Sequence, residues 1–190
     1  MSTTSSPTAV VRVRNGAYYL CAFDKLMAPI VAGWPRDDRE LFWLAPKTPP
    51  PLTPAKVTAW PGPDGCPLLF RRDGVDEPLG YIELNPMPAQ KRHLWMGHCV
   101  VPHERRGCGL GRAMVELMLD EAFLRRRADR VSLIVFPDNV RAIRCYRRVG
   151  FVDASEQLKH FPTTGRQHRM LRMSIDREQY ELARRESAPR

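Results

Sequence analysis

From Val100 to Arg112 the chain reads VVPHERRGCGLGR: an apolar run passes through arginines and glycines and opens onto an amphipathic stretch. Gly107, Gly109 and Gly111 leave the main chain without Cβ atoms, so several backbone N–H groups can approach one anion together. A helix starting at Gly109 aims the positive end of its dipole at the same place. Arg106 and Arg112 add charge and fix the loop. Such a turn between strand and helix is a seat for phosphate oxygens, and it commits the chain to an architecture in which strands feed helices.

Periodicity supplies the remaining elements. Val10 to Val13 alternates as a first strand, and Tyr18 to Val31 reads as a helix ended near Pro29 or Gly33. Trp34 to Pro54 holds Pro35, Pro46, Pro49, Pro50, Pro51 and Pro54, too many for a central strand or a helix interior. A short helix over Thr53 to Trp60 follows, capped by Thr53 with Pro54 first. Cys66–Arg71 and Leu79–Leu84 read as strands around the turn-like Asp73-Gly74. Leu94–Val101 is a longer strand with Gly97 and His98 in its middle, where a glycine often marks a bulge or a close approach.

Gly109 to Arg125 places Leu110, Ala113, Met114, Leu117 and Met118 on one helical stripe, with Arg125–Arg127 in a last turn that favours cations. Val131–Phe136 is apolar enough for a strand buried on both faces. Pro137-Asp138-Asn139 stops it and caps a helix with Ala142, Ile143, Tyr146 and Val149 inward, ended by Gly150. Strands from Phe151 and over Arg169–Ile175 precede a charged helix or tail from Asp176. The pattern predicts an α/β chain with a mixed sheet between helices: residues 1–9 disordered, 10–175 one domain, 176–190 a terminal appendage.

The arginine and glycines of Arg106-x-x-Gly109-x-Gly111 precede Asn139-x-x-Ala142-Ile143-x-x-Tyr146-x-x-x-Gly150-Phe151 by about thirty residues. Together they resemble the GNAT superfamily of acyl-CoA-dependent N-acetyltransferases, with the specific motifs confined to Cys99–Phe151. That resemblance implies a mostly antiparallel sheet of six to seven strands, and acetyl-CoA as co-substrate. It implies that Cys99, Val100 and Val101 meet the pantetheine arm as an added strand would. Arg106, Gly107, Cys108, Gly109, Leu110, Gly111 and Arg112 would then hold the phosphates. Amides of the same strand could stabilise the oxyanion of a tetrahedral intermediate. Asn139 caps its helix or also touches the CoA arm. Tyr146 is implied as the general acid that protonates the departing thiolate; packing in the core is its other reading.

An amine acceptor must lose a proton before attack, so a base or a water relay is required. Family members place a glutamate twelve residues before the tyrosine, or on the strand before the glycine turn; in this chain those positions are Ile134 and Trp95. Glu83, His98 and His93 remain, and imidazole ordinarily titrates at about 6.5, well placed for the task. Trp34, Phe42, Trp43 and Trp60 among the prolines are candidate walls of the acceptor cleft, or loop packing.

The net charge of +9 comes with no aromatic-interleaved basic stretch, which argues for a solvated surface suited to a polyanionic cofactor rather than for nucleic acid. Cys21, Cys66, Cys99, Cys108 and Cys145 lack pairing or metal-ligand spacing, as do the five histidines, so no metal is expected. The polar segment Met1–Pro7 lacks a basic leader pattern, and Tyr18–Trp34 is too interrupted to span a bilayer. A cytoplasmic enzyme without membrane or nucleic-acid partners is therefore expected. The acceptor would be a small-molecule or protein amine, and a homodimer is implied only by the resemblance. The rival reading is a CoA-binding sensor or partner module without catalysis.

Overall fold

Asn15-Gly16 is a strong hairpin signal, and there the chain reverses: β1 (Val11–Asn15) pairs antiparallel with β2 (Tyr18–Ala22), with Gly16 at φ 55°. This corrects the helix expected over Tyr18–Val31. Pairing with β3 buries Leu20 and Cys21 completely, which outweighs any helical preference of the segment. Only the end of the segment is helical, as a 3-10 turn at Lys25–Met27 and the short α1 (Ala28–Ala32). Pro29 opens α1 instead of ending it, because a missing N–H is harmless in a first turn. The computed structural model describes residues 10–88, 90 and 92–187, so the disorder expected of residues 1–9 lies outside the described residues.

The proline-rich segment contains α2 (Asp38–Leu44), capped by Asp37, whose side chain accepts from the Glu40 amide at 2.9 Å. In α3 (Pro54–Ala59), the Thr53 hydroxyl accepts from the Lys56 amide as the cap pattern requires. Lys56 Nζ donates to the carbonyls of Pro49 and Pro51, both at 2.7 Å, and this draws the proline loop around one ammonium.

The strands β3 (Cys66–Arg72), β4 (Gly80–Pro86) and β5 (His93–Val100) continue the antiparallel meander. After α4 (Leu110–Asp120) the chain returns as β6 (Arg130–Val135), parallel to β5; then come α5 (Val140–Arg148), β7 (Val152–Phe161), β8 (Arg166–Asp176) and α6 (Arg177–Ser187). The sheet has eight strands in the order β1-β2-β3-β4-β5-β6-β8-β7, the extra one being β2. Every pair except β5–β6 is antiparallel.

Two cores separate on the two sheet faces. Leu68, Phe70, Ile82, Leu84 and Met96 pack with α4 and α5 residues, including Met114, Leu117, Ile143 and Tyr146. Leu69, Tyr81 and Val100 face the opposite way, onto Val31, Trp34 and Val57 of the amino-terminal helical region. Each fully buried Leu, Ile or Phe contributes roughly 1.5–3 kcal/mol, so the strand alternation itself fixes which side chains meet each helix layer. The end of the helix expected to Arg125 is a π-helical turn, Glu121–Arg125. Arg125 and Arg126 do not serve the helix dipole alone: both clasp the buried Glu121 carboxylate, at 3.3 and 3.1 Å.

Gly150 joins α5 to β7 at φ 102°, and a Cβ there would stand 3.0 Å from Ile175 Cδ1 and 3.4 Å from Ala183 Cβ. Gly150→Ala is therefore expected to lower the unfolding free energy by about 1–3 kcal/mol in chemical denaturation, from backbone strain and crowding together.

Candidate active site

Two paired strands stay together only while their ladder lasts, and that of β5 with β6 is short: His93↔Arg130, Leu94↔Val131, Trp95↔Ser132. From Met96 onward β5 keeps β4 as its neighbour but has lost β6. The sheet opens there into a wedge whose one wall is the free edge of Met96–Val101.

On the β4 side the register also shifts. Tyr81 opposes Val100 and Glu83 opposes Gly97, so β5 carries a bulge around His98 and Cys99. The sequence points to Gly97 as the place of distortion, but the strained backbone belongs to His98, at φ 35°. A Cβ at Gly97 would make only ordinary contacts, 3.4 Å from Asn85 Nδ2 and 3.7 Å from Glu83 Oε2. The bulge changes which residues share a face. His98 turns toward Glu83, while Cys99 joins the core beneath α4 and α5.

Glu83 is 1% exposed, deep enough that its charge needs partners. Tyr81 Oη donates to Oε1 at 2.6 Å and Asn85 Nδ2 donates to Oε2 at 3.2 Å. His98 Nδ1 lies 3.0 Å from Oε1 but off the line of a ring N–H, a close contact rather than a directed hydrogen bond. Burial alone would push the Glu83 carboxyl up; His98, then Tyr81 and Asn85, outweigh it and hold the carboxyl below its ordinary range. Trp60 stacks on the imidazole with centroids 4.5 Å apart and planes within 6°. Its own Nε1 donates to Thr48 Oγ1 at 2.9 Å, so the proline loop sets the angle of the ring that orients His98.

Across the strand, Tyr146 on α5 is buried beside Cys99. Burial, then the neighbouring Cys99 and Cys145 thiols, keep the phenol protonated far above its ordinary range, and burial pushes Cys99 up to about 12. Both groups are neutral donors at physiological pH. Asn139 caps α5, its Oδ1 accepting from the Ala142 amide at 3.3 Å.

The glycine turn is open. Gly107 and Gly109 have φ 84° and 82°, and no atom lies within 4 Å of a Cβ placed on either. Gly109 is the N-cap of α4 and offers no side chain, so the first-turn amides of Leu110 and Gly111 face outward uncapped. Cys108 is exposed in the same loop. A cradle of bare amides at a helix N-terminus, with Cβ-free approach, fits the pyrophosphate of a CoA molecule. The arginines divide the work differently from the even share that their positions suggest. Arg112 is held by Glu116 at 2.7 Å on the helix surface. Arg106 turns inward: Nε donates to the Val101 carbonyl at 2.9 Å and Nη1 pairs with Glu40 at 2.7 Å, tying α2 to the end of β5.

The remaining candidates lie away from this cluster. His93 sits on the paired part of β5, hydrogen-bonded to Gln90 and, at 2.8 Å, to Ser132. Trp95, at the last rung before the wedge, lies beneath Lys159 and Arg172. Ile134 packs against Phe136, Phe161 and Met170 with Phe42 and Trp43, and Trp34 is core. Tyr81 and Asn85 were missed by sequence reasoning; the only signal was their alternation with Glu83 along one strand, which places all three on one face. Among the described residues no group of His, Cys, Asp and Glu could hold a metal ion, and no helix is long and apolar enough to cross a membrane.

The architecture matches solved structures. Spermidine N-acetyltransferase from Vibrio cholerae, in complex with CoA and spermine, superposes with TM-score 0.72 at 18% identity, over 88% of this chain and 99% of that one. An acetyltransferase of the GNAT family from Bacillus anthracis gives TM-score 0.72 at 15% identity, over 87% and 98%. No protein of curated function matches the sequence. The model of the acetyltransferase (GNAT) family matches residues 30–151, from α1 through the glycine turn to the end of α5. The chain belongs to that family and is an acyltransferase.

Proposed function

We propose that this protein transfers the acetyl group of acetyl-CoA to a primary amine by direct attack, with the thioester and the amine meeting at the wedge of β5. The observation that carries the reading is the placement of two opposite proton functions on the two faces of one bulged strand. A protonated phenol lies beside Cys99, and a carboxylate–imidazole pair lies beside Gly97.

Bound acetyl-CoA supplies the activated acetyl thioester. The residues fitted to hold it are the amides of Gly107–Gly111 and the free edge of Cys99–Val101, which can pair with an extended arm as a strand would. On the amine side, the Nδ1 edge of His98 faces Glu83 while the ring lies stacked on Trp60, so Nε2, on the other edge of the ring, is the nitrogen left to take the acceptor's proton. Glu83 is then a positioning residue and His98 the base. On the other side, Tyr146 holds its proton until a thiolate needs it. A CoA-binding module without catalysis would need neither the buried Glu83 charge nor its three partners, and nothing in that cluster serves the phosphate turn.

Tyr146→Phe is expected to reduce kcat by about 100-fold with the KM for acetyl-CoA nearly unchanged, read by thiol release against an amine panel. His98→Asn and Glu83→Gln should each cost about 100-fold, and the double variant little more than either, since one group acts through the other. Loss in the double variant equal to the product of the single losses would separate the two roles.

Glu83 also sets an acid limit on stability. Its folded-state value lies below the ordinary 4.5, so it adds stability above that value and gives it up as pH falls through the lowered one. The gap in melting temperature between wild type and Glu83→Gln should accordingly be widest near neutrality and close as the pH drops below about 4.

A further inference from the structure

Trp95 occupies a special position: it pairs with Asn85 on β4 and with Ser132 on β6, the last rung before the wedge opens. It shares a face with Gly97, and therefore with Glu83, only two residues away along β5. From beyond β6, the strands β7 and β8 bring two cations to its ring, Lys159 Nζ at 5.8 Å and Arg172 Cζ at 5.9 Å from the centroid. Neither forms an ion pair among the described residues, although many arginines of the chain do. Lys159 is half-buried, and burial first, then Lys47 and Arg172, lower its proton affinity. Burial first, then Arg172 and Arg130, lower that of His93 as well. Glu83, the buried carboxylate on this face, is committed to Tyr81, Asn85 and His98.

Cations held together on one aromatic ring without a counter-ion repel one another, an arrangement that a bound anion relieves. We propose that Lys159 and Arg172, over Trp95, bind an anionic group on the acceptor, so that the substrate is a small amine carrying its own acid group. The inference rests on the reading in which Glu83 and His98 face the amine. Gly97, which pairs with Glu83, stands two residues along β5 from Trp95, roughly 7 Å of strand rise, a distance on the scale of a short ω-amino acid. A diamine or polyamine of the same length would put a second ammonium where the cations already stand.

The test compares three acceptors of matched length on the intact protein, γ-aminobutyrate, butylamine and putrescine, with aminopropylphosphonate added to distinguish a phosphonate from a carboxylate preference. Initial rates with acetyl-CoA are measured, together with melting in the presence of CoA and each amine. One of the two anionic amines should exceed butylamine about tenfold or more in kcat/KM, with putrescine last. Arg172→Gln and Lys159→Gln should each narrow that ratio several-fold while leaving butylamine turnover intact. Raised salt should narrow it as well. Faster turnover of putrescine, or a ratio that neither variant changes, overturns the inference while acetyl transfer to amines stands. Stabilisation by the anionic amines that both variants abolish, with no amine acetylated, upholds the anion site and overturns the proposed reaction instead. No preference in either measurement also overturns the inference.

Discussion

The loss of β6 as a neighbour after Trp95 is the constraint on which the rest of the site depends. A parallel pair three rungs long cannot hold two strands together against the bulge that follows. Once they part, β5 presents an unpaired edge at the place where the glycine turn, α4 and α5 converge. Everything outside the wedge works to keep β5 in that position. β4 pairs with it through both sides of the bulge, and Arg106 ties the Val101 carbonyl at its end to α2. On one face Val100 packs with Val57 and Trp34, and on the other Cys99 packs beneath α4 and α5. The strand is fixed from both faces and open along one edge.

Charge is distributed around that edge with the same economy. Glu83 stays ionised in a buried place because an imidazole, a phenol and an amide surround it. The same burial that threatens its charge keeps Tyr146 protonated, since burial and the neighbouring Cys99 and Cys145 thiols all disfavour a phenolate there. Desolvation is opposed at the carboxyl and unopposed at the phenol. One physical effect thus yields a conjugate base on one face of the strand and an acid on the other. Beyond Trp95, Lys159 and Arg172, without an ion-pair partner among the described residues, make the β8–β7 side of the sheet positive.

Local chemistry was legible in the sequence and cross-strand chemistry was not. The glycine turn, the Thr53 cap, the Asn139 cap and the stripe carrying Tyr146 all obey short-range rules, and each stands where its spacing puts it. Asn15-Gly16 obeyed such a rule too, but the apolar run after it reads equally as helix, and only pairing with β3 decides the matter. Asp37 with Glu40 announces α2, a signal masked by the surrounding prolines. The partnership of Glu83 with His98 depends on a one-residue slip between β4 and β5, which no periodicity contains. Arg106 lies in a phosphate-binding pattern, yet its length and the nearby Glu40 turn it into a brace.

Amide hydrogen exchange over Met96–Val101, with and without acetyl-CoA, tests the open edge most directly. In the free protein the amides facing the wedge should exchange much faster than those of the paired segment His93–Trp95. Saturating acetyl-CoA should slow them by an order of magnitude or more as the edge gains a hydrogen-bonding partner. Amides already protected without ligand, or unchanged when acetyl-CoA saturates the protein, would contradict the pairing of a CoA arm along the parted strand.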